Sequence, residues 1–408
     1  MVETELAALA ARLEGDADIA GRRLEFLASH GGPFFELQRR FNLVHDRNLH
    51  TGRRILLFVA VAWAVPLLLT LPTLASQTPT IQDYLTDPGP WARFFVGIAA
   101  FLAAEQAVEA GLRRKLSQFL RAPLIAPASQ ASAIVALDKA VARRDSLLAE
   151  MACLALAVVA ALLAFATFKQ AAATSWAATL AGDVRHLTLA GWWCVLISIP
   201  LFIFLFARGV WRHLVWTQLL RRIADLDLRL VSTHPDGKGG LAFVGEYPNA
   251  YVLFVFGVSC GMAAAVAKHQ MHADLSATTL TTIMACWLLI VLAFFAYPLS
   301  AFSKPLAAMK DRTLLTLSAR ATIQQRGSER KAIGENVVAP DPEEAGEPID
   351  PVDLSKQYEQ TRKLSSMLVN RKTLLPIAAA ALIPFAIAGA SRLPYKEVFS
   401  VLKKLLLI

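Results

Sequence analysis

Long, mostly apolar blocks recur along this chain, and they leave few folds open to it. A helix needs ~20 mostly apolar residues to cross ~30 Å of hydrocarbon. Six blocks approach or exceed that length: 55–75, 94–110, 151–168, 187–207, 247–267 and 275–302. A seventh, 373–391, is uncharged and long enough but contains Pro376 and Pro384. Composition agrees with a bilayer as the solvent, since 55% of the residues are hydrophobic and 18% charged, against roughly 45–50% and ~25% in soluble domains. The expected fold class is an all-α, polytopic transmembrane helical bundle. It has six spans, a seventh that either crosses or re-enters, and a cytoplasmic helical layer. More than fifty residues of mixed charge precede the first block, so that block is expected to act as an uncleaved anchor.

Lys and Arg set the orientation, because short cytoplasmic loops keep positive charge. Segments 1–54, 111–146, 208–241 and 303–372 carry thirty-three Lys and Arg, whereas the connections 76–93, 169–186 and 268–278 carry four. The amino terminus is therefore expected in the cytoplasm, with the chain in a bacterial inner membrane. The net charge of +9 is concentrated on that face, where it would meet anionic lipid headgroups. No recognition helix, zinc finger or RNA-binding signature accompanies the charge, so nucleic acid is not an expected partner.

Four regions follow. Residues 1–54 form a cytoplasmic N-terminal helical region, and residues 55–302 form the six-span region with basic cytoplasmic loops. Residues 303–372 supply cytoplasmic helices with a linker at 334–353. Residues 373–408 hold the seventh block and an amphipathic C-terminal helix, whose Tyr395, Val398, Phe399, Leu402, Leu405 and Leu406 fall on one face, an interfacial pattern. Linker 334–353 has four prolines, seven acidic residues and no Lys or Arg, too little apolar surface to offset the entropy of ordering. After the fourth and sixth blocks the apolar spacing continues at helical period without a breaker, so both helices are expected to run on past the membrane.

Two constellations could carry chemistry. In the second block Glu105 and Glu109 stand four apart on one helix face, and Glu150 opens the third block at a similar or shallower depth. Ionisable groups within a span are costly and usually face a cavity or a partner. These three carboxylates could line a cation path near the inner leaflet. Alternatively Glu109 pairs with Arg113 and Glu105 bonds a neighbouring helix. The second constellation is the loop 230–248, with His234, Asp236, Lys238, Gly239 and Gly240. His234 and Asp236 could bind an ion or accept protons while Lys238 and the glycine amides hold an anion. The other reading is a tight turn in which Asp236 accepts from nearby amides.

Weaker signals are set aside. His269, His272 and Asp274, and likewise His45, Asp46 and His50, read as solvated residues, so no metal site is expected. The four cysteines are isolated and read as packing residues. No nucleophile elbow, zinc-protease or dinucleotide fingerprint occurs, so neither an enzyme nor a cofactor is expected.

The loop "DLRLVSTHPDGKGGL" (227–241) and the ending "LLPIAAAALIPFAIAGASRLPYKEVFSVLKKLLLI" resemble an uncharacterised family of bacterial polytopic inner-membrane proteins. The resemblance covers about a fifth of the chain and implies membrane location without an activity. Two functions remain open. One is an ion channel or transporter with the second-span carboxylates on its path, within one chain or about a homo-oligomer axis. The other is a membrane-anchored sensor or scaffold acting through its basic cytoplasmic layer and the 230–248 loop.

Overall fold

The computed structural model describes residues 26–45, 49–71, 81–170, 176–181, 184–271, 276–340, 354–390 and 395–406. Asp46, His272, Asp274 and most of the acidic linker lie outside the described residues. Seven helices are long and apolar enough to cross a membrane, which makes the chain a polytopic α-helical bundle. Among the described residues the strands form one antiparallel hairpin, β1 (Ala178–Ala181) and β2 (Val184–Leu187), with Ala178 opposite Leu187.

In chain order the helices are α1 (Pro33–Arg40), α2 (Thr51–Leu69), α3 (Ile81–Thr86), α4 (Pro88–Phe119), α5 (Gln130–Arg144), α6 (Leu147–Gln170), α7 (Leu189–Ala224), α8 (Val252–Gln270), α9 (Ala277–Leu299), α10 (Ser303–Ile333), α11 (Ser355–Lys363), α12 (Arg371–Ala390) and α13 (Tyr395–Leu406). The spanning helices are α2, α4, α6, α7, α8, α9 and α12. Helix α7 has 36 residues, ~54 Å at 1.5 Å per residue, so it projects well past a ~30 Å hydrocarbon core. Helix α9 continues through a single 3-10 turn into α10. These two extensions, with α5 and α11, build the expected helical layer on one face.

Helices α4, α7, α8 and α12 form the interior, with Phe101, Leu102, Trp216, Ile377 and Phe385 buried among them. Helix α6 sits at the edge, packed mainly along α7, and its exposed Leu148, Leu162 and Leu163 are suited to lipid. Helix α12 is continuous although Pro376 and Pro384 lie inside it. Membrane helices tolerate proline where neighbours re-satisfy the freed backbone. Helix α12 lies along α8 with Ile377, Ala381, Leu382 and Phe385 fully buried, which is the packing of a seventh member of the bundle.

Three spanning helices contain a widened π turn: Ala60–Ala64 in α2, Trp91–Gly97 in α4 and Cys194–Ser198 in α7. The α2 turn packs against the other two near the face opposite α1. Two of them end shortly before a proline, Pro66 and Pro200, which has no N–H for the carbonyl four residues back. The freed carbonyls of α2 find side-chain donors instead: Ser198 Oγ donates to Ala62 O at 2.7 Å, Trp193 Nε1 to Val61 O at 2.9 Å, and Tyr84 Oη to Trp63 O at 2.8 Å.

Candidate functional site

Glu105, Glu109 and Glu150 come together at the end of the bundle that faces α1. Glu105, on α4, takes two buried guanidinium groups: Arg54 of α2 donates to its Oε2 at 2.5 Å, and Arg208 of α7 donates to its Oε1. Arg208 also reaches Glu150 Oε1 of α6 at 3.3 Å. Arg54 and Arg208 are each only 2% exposed; these carboxylates compensate their charge, and Gln38 Oε1 accepts a further hydrogen bond from Arg54 Nε at 2.6 Å. Removing water from such ions costs several kcal/mol apiece unless every charge is paired.

The segment that leads into α1 threads through this cluster as a strap. Its Ser29 N–H donates to Glu109 Oε2 at 3.2 Å, its Ser29 hydroxyl to Glu105 O at 2.7 Å, and Phe34 N–H to Glu150 Oε2 at 2.7 Å. His30 Nδ1 lies 2.6 Å from Glu109 Oε2. Arg212 of α7 donates to the carbonyls of Ala28, His30 and Gly31, and Arg144 of α5 donates to Leu27 O and to the Asp145 carboxylate. Main-chain groups of the strap thus satisfy charged side chains from α4, α5, α6 and α7. Close approach requires glycine here. Gly32 has φ 85° and ψ 159°, and a Cβ on it would stand 2.5 Å from Glu150 Oε1. A cavity of about 30 Å³ lies against the strap, bordered by Ser29, Phe101, Glu105, Arg208, Arg212 and Tyr251.

The three carboxylates were legible in sequence as a group at one depth, and Arg208 joins two of them. Arg54, Arg144, Arg208 and Arg212 do not stand out in the sequence. They follow or precede apolar blocks and read as the positive flanks that any span carries. The one available signal was Arg208 and Arg212, four apart on one helix face directly after an uninterrupted apolar run. Ser29, His30 and the glycines of the strap gave no signal.

The 230–248 loop is a separate structure. Asp236 Oδ1 accepts from Lys238 N–H at 2.8 Å and Gly240 N–H at 3.1 Å, Oδ2 accepts from Ala242 N–H at 3.0 Å, and His234 Nδ1 lies 2.8 Å from Oδ1. Gly237, Gly239 and Gly240 all have positive φ. The loop docks the approach to α12: Gly237 O accepts from Ser365 N–H at 3.1 Å, and Lys238 Nζ donates to Met367 O. Just before the loop, Arg229 N–H donates to Leu124 O of the α4–α5 connection at 2.7 Å. The carboxylate is occupied by amides, as the turn reading requires, and Lys238 is held by a carbonyl.

Partial burial pushes the Asp236 carboxyl up, while the Ala242, Lys238 and Gly240 amides and His234 outweigh it and hold it below the ordinary value of 3.8. A depressed carboxyl stabilises the folded loop above its unfolded pKa, and that contribution is lost as pH falls through the lower folded value. Amide-exchange protection at Lys238, Gly240 and Ala242 is therefore expected to persist on acidification to about pH 4 and then fall. Asp236→Asn should abolish that acid step. Identical acid profiles in the two proteins would show that the carboxylate does not hold the turn. No family model, curated protein or solved structure matches the chain.

Proposed function

We propose that this integral membrane protein is an ion channel or transporter with its pathway closed, and that the cluster of Glu105, Glu109 and Glu150 with Arg54, Arg208 and Arg212 lines the inner end of the path. The observation that carries this reading is the strap. Beyond the pairs that Glu105 and Glu150 make with Arg54 and Arg208, charged side chains of four helices find partners in this stretch outside the spans, and such a stretch can leave without dismantling the bundle. Charged groups within spans are expensive and mark ion paths by default. The charge asymmetry of the connections supports placing the strap face in the cytoplasm of a bacterial inner membrane, against anionic headgroups. The acidic face of α4 would serve equally within one chain or at a homo-oligomer axis.

The test is ion flux in proteoliposomes under a set potential, with varied pH and ions. Wild type is expected to pass ions. Glu109→Gln leaves the Glu105 pairs intact and is expected to change the rate by about tenfold, a barrier shift of about 1.4 kcal/mol. No flux from folded wild type under any of these conditions would sink the reading. It would favour the second one, a membrane-anchored sensor or scaffold. That reading rests on a cleft of about 970 Å³ between α10 and α11, bordered by Thr322, Arg326, Glu329, Tyr358 and Arg362.

A further inference from the structure

One helical turn from Glu105 toward the opposite face, ~6 Å at 1.5 Å per residue, the bundle closes with aromatic rings. The Phe101 ring of α4 stands 5.2 Å from Phe202 of α7 and 5.3 Å from Phe254 of α8. Phe254 in turn stacks on Phe206 of α7 at 6.0 Å. Each of the three central rings is seated on glycine from a neighbouring helix. A Cβ on Gly97 would lie 2.6 Å from Phe202, one on Gly261 3.1 Å from the same ring, and one on Gly257 3.0 Å from Phe101; Phe254 lies against Gly209. The absent side chains let rings and backbone meet directly, which leaves this layer walled mainly by apolar groups.

Charged groups stand on both sides of the layer. On one side the 30 Å³ cavity has Phe101 and Phe254 on its wall together with Glu105, Arg208 and Arg212. On the other side lie Arg93, ~12 Å along α4 from Phe101, and Asp87, whose Oδ2 accepts from Lys268 Nζ and from Trp176 Nε1, each at 3.0 Å. The strap, by contrast, sets polar main chain against charged side chains, groups that can stand in for an ion's hydration.

We propose that Phe101, Phe202 and Phe254 form the gate that seals the pathway against ions, acting by excluding water, and that the strap is not the seal. Hydrophobic constrictions close pores in this way, since an ion that enters must shed hydration with nothing to replace it. This inference rests on the channel or transporter reading, and its test separates the two.

Ala104 borders the cavity on the strap side of the rings. In a chain with Cys153, Cys194, Cys260 and Cys286 replaced by serine, Ala104→Cys would be exposed to a membrane-impermeant thiol reagent applied to one face of oriented vesicles at a time. Ala104 is 2% exposed, so with the rings intact modification is expected slowly, as the strap opens, and from the strap face only; no modification from either face would show that the strap seals as well and would overturn the proposal. Phe202→Ala is expected to raise the rate from the opposite face by about tenfold or more and to add a constitutive ion leak. Phe202→Leu, which keeps most of the packing, should give a smaller change in the same direction. Equal modification from both faces with intact rings would overturn the gate, as would a folded Phe202→Ala or Phe202→Leu protein with no gain from the opposite face. One-sided modification that Phe202→Ala abolishes, without flux in either protein, would keep the barrier and sink the transport reading.

Discussion

Glu105→Ala is expected to lower stability by about 3–5 kcal/mol, the usual cost of leaving a buried ion without its partner. Two guanidinium groups, of Arg54 and Arg208, lose a carboxylate at once, and both are 2% exposed. Neither can shed its proton to escape the cost, because arginine stays charged in proteins. Gln38 still accepts from Arg54 and Glu150 from Arg208, which keeps the loss from doubling. The measurement is thermal unfolding in detergent, with Glu105→Gln alongside it. Glutamine keeps an acceptor for one arginine and should fall between wild type and alanine. A Glu105→Ala protein with an unchanged Tm would show that the pairs contribute nothing and that the cluster is not held as described.

Gly32→Ala is expected to loosen the strap while the spanning helices remain packed. The backbone at Gly32, φ 85° and ψ 159°, lies in a region reserved almost entirely for glycine, and a side chain there costs about 1–3 kcal/mol. The new Cβ would also press on Glu150 Oε1, a carboxylate fixed by Arg208 and by the Phe34 amide. Strain and collision act on the same few residues, so transient opening of 26–34 is expected to become more frequent while its closed form stays the commoner one. Hydrogen exchange should then rise across the strap, at Ser29 and Phe34 above all, with α4 and α7 still protected. Unchanged protection at Ser29 and Phe34 would refute the view that the strap depends on this close approach. Uniform loss of protection throughout the bundle would show instead that strap and bundle unfold as one unit.

The two variants probe features of very different legibility. The carboxylates could be found in sequence because an acidic residue inside an apolar block is conspicuous against its neighbours, and Glu105 and Glu109 share a face by helical spacing alone. Their partners could not. Arg54 and Arg208 border apolar blocks, where positive charge is expected for topological reasons and carries no hint of burial. The strap lies 76 residues from Glu105 and 181 to 184 from Arg212, by the contacts of Ser29 and of Ala28, His30 and Gly31. Nothing local in "ASHGG" states where it will dock.

The 230–248 loop divides in the same way. Asp-Gly and the following glycines announce a turn, since positive φ is a local property of the residue type. That the turn receives Ser365 and Met367, and so fixes the entry to α12, follows from contacts more than a hundred residues apart in the chain. The prolines of α12 show the reverse: locally they argue for a broken helix, and packing along α8 keeps the helix whole.

What the sequence determined by itself was the all-α membrane class, the position of each span, the run of α7 and α10 beyond the bilayer and the presence of carboxylates within a span. All of these depend on apolar content and periodicity over contiguous residues, the quantities a bilayer selects. Only the tertiary structure decided which charges meet, which segment covers them and which rings stand between the two charged layers. Burial and ion pairing are set by what other helices bring to the same place, and no stretch of the chain encodes that alone.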